Sequence, residues 1–262
     1  MAWTERQRLM LQEMGLRLWG PAAAGAGQAP APAPEPKAAL PPGPVAAPTV
    51  AATSAPPAVV AQATDARGAA VAAMGWPELQ ESVRACTACG LCQSRRQTVF
   101  GVGNLQAHWM IVGEAPGEQE DLKGEPFVGP AGHLLDNMLR ALGLTRQEAP
   151  PERQVYIANT LKCRPPRNRN PEPQELASCE PFLMRQIELI RPRLILAMGR
   201  FAVQALLRSS EPVGKLRGRV HRYQGVPLVV TYHPAYLLRN LPDKSRAWED
   251  LCLAAQVVDA AG

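Results

Sequence analysis

The chain has 262 residues, with 28 Lys and Arg against 23 Asp and Glu and a net charge of +5. That length suits one large or two small domains, and the mild positive balance leans toward a polyanionic partner. No run reaches the roughly 18 apolar residues that span a bilayer, and the charged start Thr4-Glu5-Arg6-Gln7-Arg8 lacks the apolar stretch of a secretory signal, so a cytoplasmic protein with reduced thiols and no membrane contact is expected.

The first element in chain order is a short helix from Glu5 to Trp19, with Leu11, Met14 and Leu18 along one side. Residues 1–20 read either as a helix frayed or laid on the main domain, or as a peptide that offers those anchors to a protein partner. Residues 21–73 are almost all Ala, Pro, Gly, Val and Thr. Such a stretch buries too little apolar surface to offset its chain entropy and reads as a disordered tether. The folded domain is expected over 74–262, a common single-domain size.

Within it, helices are predicted over Pro77–Ala85, Ala131–Leu142, Pro171–Ile190, Arg200–Leu207 and Lys244–Val258. Strands are predicted over Trp109–Val112, Gln154–Ala158, Leu194–Ala197 and Leu228–Thr231. Strands this uniformly apolar, alternating with helices, imply a three-layer α/β/α fold around a four-stranded, mainly parallel sheet covered on both faces. Ligands of such sheets bind beyond the carboxyl ends of the strands. Gly113-Glu114, Asn159 and His233 each follow a strand end and should meet in one cleft.

Six cysteines in a reducing compartment favour metal or cluster ligation over disulfides. Cys86-x-x-Cys89 is a ligand-like pair, and Cys163 and Cys179 flank a stiff run, Arg164-Pro165-Pro166-Arg167-Asn168-Arg169-Asn170-Pro171, that must return to one point. Four thiolates suit tetrahedral zinc or a cubane cluster. Cys92 repeats the two-residue spacing from Cys89 and could compete as a ligand; Cys252, inside the last helix, reads as core.

Several motifs carry a resemblance in order: Cys86-x-x-Cys89, the run GEAPGEQED from Gly113, GEPFVGPAG from Gly124, Asn159-Thr-Leu-Lys-Cys163-Arg-Pro-Pro, Cys179, and His233-Pro-Ala-Tyr-Leu-Leu-Arg239. Together they resemble the iron–sulfur branch, family 4, of the uracil-DNA glycosylase superfamily, over about residues 76–258. The resemblance implies a [4Fe-4S] cluster on Cys86, Cys89, Cys163 and Cys179 with a structural role. It also implies a monomeric, monofunctional glycosylase acting on uracil-containing DNA in single or double strands. Phe127 would stack on the flipped base, Asn159 would read O4 and N3–H, His233 would donate to O2, and Gly113, Glu114 and Ala115 would form the turn facing sugar and water. The best-known branch carries an acid where this chain has Ala115, so Glu114 is the first candidate to activate water, and Glu120 or Asp121 the second. Leu237 would wedge into the duplex, Arg239 would touch phosphate or the minor groove, and Arg164, Arg167, Arg169, Arg217 and Arg219 would supply phosphate contacts. Two other readings are a glycosylase for hypoxanthine or other deaminated bases, and a non-catalytic DNA-binding or redox-sensing cluster protein. A product-capturing branch adds a basic, histidine-containing loop after the second strand; Lys162-Cys163-Arg164-Pro165 has no histidine, so ordinary turnover is expected.

Overall fold

The structure, a computed structural model, describes residues 66–260; the expected helix over residues 1–20 and most of the tether lie outside them. Helix α1 occupies 66–72, within the segment assigned by composition to the tether, so that assignment is corrected at its end. Val71 is buried among Leu79, Val83 and Phe182, which anchors α1 to the domain in spite of its Ala- and Gly-rich sequence. Helix α2 spans Trp76–Arg84 with Pro at its first turn and delivers the chain to Cys86.

Four strands form the centre of the sheet: β2 (Trp109–Gly113), β3 (Tyr156–Asn159), β4 (Leu194–Met198) and β6 (Val226–Thr231). They pair in parallel, in the order β3-β2-β4-β6, as their continuous apolar runs lead one to expect. The sheet nevertheless has six strands. Antiparallel edges β1 (Val102–Gly103) on β3 and β5 (Val220–Tyr223) on β6 extend the expected four.

The two-residue period of the strands divides the core. Trp109 and Ile111, with Leu194, Leu196 and Met198, face one layer, built from α4 (Pro130–Ala141) and α9 (Asp243–Asp259). Met110, Val112, Ile195 and Ala197 face the other, built from α5 (Pro173–Ile190) and α6 (Arg200–Leu207). A third cluster joins α1, α2 and the start of α5 around Cys163, Cys179 and Phe182. Short helices α3 (Glu118–Lys123), α7 (Val213–Leu216) and α8 (Pro234–Leu237) complete the domain. The carboxyl ends of β2 and β3 are in register at Gly113 and Asn159, and those of β4 and β6 at Met198 and Thr231. That alignment places the loops after β2, β3 and β6 together at one rim.

Candidate active site

At that rim lies a cleft of about 200 Å³ lined by Glu114, Asn159 and His233, which were expected to meet there, together with Ala115 and Phe127. Gly113, also expected there, packs against two of the lining side chains. A Cβ at Gly113 would come within 2.5 Å of Asn159 Oδ1 and 2.6 Å of Phe127 Cζ, so only glycine lets the strand end, the ring and the amide share this corner.

Phe127 holds a left-handed backbone (φ 56°), unusual for an aromatic residue. Two neighbours fix it. Its carbonyl lies where a Cβ of Gly132 would be, at 1.7 Å, so α4 packs directly on the loop. Glu120 Oε1 accepts from the N–H groups of Val128 (2.9 Å) and Gly129 (3.1 Å), while Oε2 accepts from Gly117 N (3.0 Å). With both oxygens engaged on backbone, Glu120 shapes the loop and is corrected as a candidate for water activation. Asp121 is corrected likewise: it is buried and accepts from Arg96 N at 3.0 and 3.1 Å, tying α3 to the segment after the cysteine pair. Only the Gly117–Glu120 bond has a local signal, the three-residue spacing at the start of α3; the other contacts of these two acids reach across the loop or to Arg96, 25 residues away.

Glu120 also lines the cleft, but its carboxylate is used on the backbone, which leaves Glu114 as the candidate acid there. Burial raises its carboxyl above the ordinary range, against the opposing charge of Arg200. His233 caps α8: its Nδ1 accepts from Ala235 N at 3.2 Å, which leaves the ring proton on Nε2. Burial pushes the imidazole down to about 4, with the Glu120 charge opposing and Arg239 reinforcing, so the ring is neutral near pH 7. It stacks against Phe127 with centroids 5.4 Å apart. Asn159 Oδ1 is buried with no hydrogen-bond partner. An acceptor left so costs about 1–3 kcal/mol. It makes the site one that waits for a donor.

The remaining expected residues divide. Arg167, Arg219 and Arg239 are exposed. Arg164 donates from Nε to Asn168 Oδ1 at 2.7 Å beside the cleft. Arg169 lines the cleft rim but is held in a bidentate pair by Glu175 at 2.6 and 2.9 Å, with Glu172 at 3.2 Å, so it is committed to the protein and corrected as a free phosphate contact. The same correction applies to Arg217, which pairs with Glu249 at 2.9 Å and Asp250 at 3.0 Å. Leu237 is corrected as well. It is fully buried in the core, whereas Leu238 (42% exposed) and Leu241 (52%) stand in solvent.

Cys86, Cys89, Cys92, Cys163 and Cys179 line one cavity behind the Asn159 loop. Burial raises the thiols of Cys89 and Cys163, and pushes that of Cys179 up to about 12. Three N–H groups point at sulfurs: Arg95 at Cys163 (3.0 Å), the Lys162 amide at Cys179 (3.3 Å) and Arg67 at Cys86 (3.6 Å). Buried Lys162 also bonds the Asn159 carbonyl (2.9 Å) and Gln186 Oε1 (2.6 Å), joining the cysteine cavity to the cleft. Among the described residues no group of three His, Cys, Asp or Glu converges closely enough to hold a single metal ion.

Residues 100–252 match the model of the Uracil DNA glycosylase superfamily. The chain is similar to a type-4 uracil-DNA glycosylase of Saccharolobus solfataricus, 42% identical over 181 residues that cover 66% of this chain and 81% of that protein. It is 44% identical over 170 residues to a type-4 uracil-DNA glycosylase of Thermotoga maritima, across 64% of this chain and 85% of that protein. A type-5 uracil-DNA glycosylase of Pyrobaculum aerophilum shares 32% over 151 residues, 53% of this chain and 66% of that protein.

Proposed function

The chain belongs to the uracil-DNA glycosylase superfamily, and from that membership we propose that it hydrolyses the bond between uracil and deoxyribose in single- or double-stranded DNA, leaving an abasic site and starting base excision repair. The observation that carries this reading is the orphaned Asn159 Oδ1, buried in a cleft with an aromatic ring and a neutral imidazole. A flipped uracil supplies the missing donor through N3–H, while the Asn159 amide N–H reaches O4. The Phe127 ring gives the base a face to stack on.

Hydrolysis places water oxygen on C1′ as the C1′–N1 bond breaks, its electron pair leaving with the base. Negative charge then gathers on O2 and positive charge on the sugar. His233, proton on Nε2, donates to O2 without itself ionising, and Glu114 opposes the cationic sugar and accepts the proton lost by water. The test is chromatographic detection of free uracil after incubation with a uracil-bearing oligonucleotide. Retained DNA binding without released base would instead favour the non-catalytic reading, and faster release of hypoxanthine would favour the wider-lesion reading.

Exposed Leu238 takes the wedge role in this reading, with Arg239 beside it against the backbone. Leu238→Ala should lower excision from duplex DNA about tenfold while sparing single strands, since a wedge offsets a few kcal/mol of unstacking only where a stack exists. Equal losses on both substrates, measured side by side, would count against it. Leu237→Ala should instead act as a core truncation, costing about 2–5 kcal/mol of stability.

The reading includes a [4Fe-4S] cluster held by Cys86, Cys89, Cys163 and Cys179. These four cysteines line one cavity and together offer the four thiolates such a cluster needs. When bound, the cluster supplies a cross-link and no reaction step. Cys163 lies four residues beyond Asn159, and Lys162 between them bonds the Asn159 carbonyl, so the cross-link steadies the base reader. Cys92 lines the same cavity and is the alternative ligand. Among the described residues no helix is long and apolar enough to cross a membrane. The reading takes the protein to be a cytoplasmic monomer in which residues 1–20 engage a protein partner.

A further inference from the structure

Three cationic side chains surround the cysteine cavity from three different segments. Arg95 Nη1 donates to Cys163 Sγ at 3.0 Å, and its other nitrogen holds the carbonyls of Arg84 (3.1 Å) and Cys86 (2.9 Å). The Lys162 side chain is completely buried next to Cys163, where its Nζ donates to the Asn159 carbonyl at 2.9 Å and to Gln186 Oε1 at 2.6 Å. Arg67, from α1, donates from Nη1 to the Ser178 carbonyl and from Nη2 to Cys86 Sγ at 3.6 Å. Its guanidinium also lies over the Phe182 ring, 4.8 Å from the centroid.

Lys162 is buried and Arg67 and Arg95 are half-buried, and a cation withdrawn from water is costly without counter-charge. Among the described residues no carboxylate accepts from any of these three groups; their acceptors are carbonyls, one amide oxygen and sulfur. Four thiolates around a [4Fe-4S] core would supply the anion that such a shell lacks. Arg67 is the informative member. It lies 33 residues before the region matched by the superfamily model, on a helix that composition alone assigns to the tether.

We propose that α1 is a strap over the cluster cavity, in which Arg67 caps the Cys86 sulfur and, with Arg95 and Lys162, forms a cationic shell that stabilises the anionic cluster. The proposal rests on the cluster reading above. Arg67 is a positioning residue: it acts on the cluster through Cys86 and takes no part in hydrolysis. Removing one cation disfavours the more negative state of the cluster, so the reduction potential should fall. It also opens Cys86 to solvent and oxygen, and loss of an outer-shell partner of this kind typically weakens metal retention about 10–100-fold.

The test uses the full chain purified without oxygen, as wild type, R67Q and R67K. Two quantities are read: the decay of the cluster's visible absorbance on admission of air, and its reduction potential by film voltammetry. R67Q should bleach about tenfold faster and shift the potential to more negative values, with R67K falling between it and wild type. A role in packing alone would lower the melting temperature of R67Q and leave the potential where it was, which overturns the proposal. R95Q, which removes the cation beside Cys163 and leaves α1 intact, should shift the potential in the same direction even if R67Q folds poorly; an unmoved potential there also overturns it. A wild-type protein without iron and sulfide defeats the cluster reading itself, whereas a wild-type cluster indifferent to these substitutions defeats only the shell.

Discussion

Asn159→Ala should lower uracil excision by about 10²–10³-fold while leaving the free enzyme at least as stable as wild type. The two halves of this result share one cause. In the complex, alanine leaves N3–H and O4 of a buried uracil unpaired, and two unsatisfied groups at about 1–3 kcal/mol each correspond to that loss of rate. In the free enzyme the substitution deletes an acceptor that is itself buried and unpartnered. Lys162 still has the residue 159 carbonyl, which belongs to the backbone and survives the change. Steady-state excision and a thermal melt on the same preparation check both halves. A loss of activity accompanied by an equal loss of folded protein would mean that Asn159 holds the fold rather than the base.

His233→Ala should cost about 10²–10³-fold in kcat, the loss usual for one donor to a developing oxyanion. The pH dependence separates this role from that of Glu114. The His233 imidazole sits near 4, below its ordinary value, so between pH 5 and 8 it stays neutral and contributes no limb to the rate profile. Glu114 is shifted the other way, its carboxyl raised by burial. Activity should therefore fall as acid protonates Glu114, at a pH above the ordinary carboxylate range. Glu114→Gln should be slow and should lose that acid limb, whereas His233→Ala should be slow and keep it. A wild-type profile with a limb near the ordinary histidine value, removed by His233→Ala, would contradict a neutral donor.

Much of this arrangement is legible before folding. Strands β2, β3, β4 and β6 are continuous apolar runs, and the carboxyl ends of three of them carry Gly113, Asn159 and His233. What escapes the sequence is set by contacts between distant segments or by very short elements. Strand β1 has two residues, and β5 reads Val-His-Arg-Tyr with alternating exposure, so neither shows the buried pattern of the centre. Leu237 and Leu238 are chemically identical, and the phase of a four-residue helix decides which one enters the core. Arg217 looks like a phosphate contact until α9 brings Asp250, 33 residues away, against it. Glu120 and Asp121 stand in an acidic run that suggests catalysis, yet both carboxylates are used on backbone N–H groups. Helix α1 has the composition of the tether, and only its contacts with Phe182 and Cys86 show that it belongs to the domain.

The pairing of Asn159 Oδ1 with uracil N3–H is tested most directly by single-turnover excision from two oligonucleotides identical but for a methyl group on N3 of the uracil. A site built to hydrogen-bond a group rejects an analogue lacking it by about 10⁴–10⁵ in favourable cases. Wild type should release uracil and leave the methylated base in place, and Asn159→Ala should shrink that preference toward unity by slowing uracil alone. Equal release of the two bases by wild type, or an undiminished preference in Asn159→Ala, would show that Asn159 is not what reads the base.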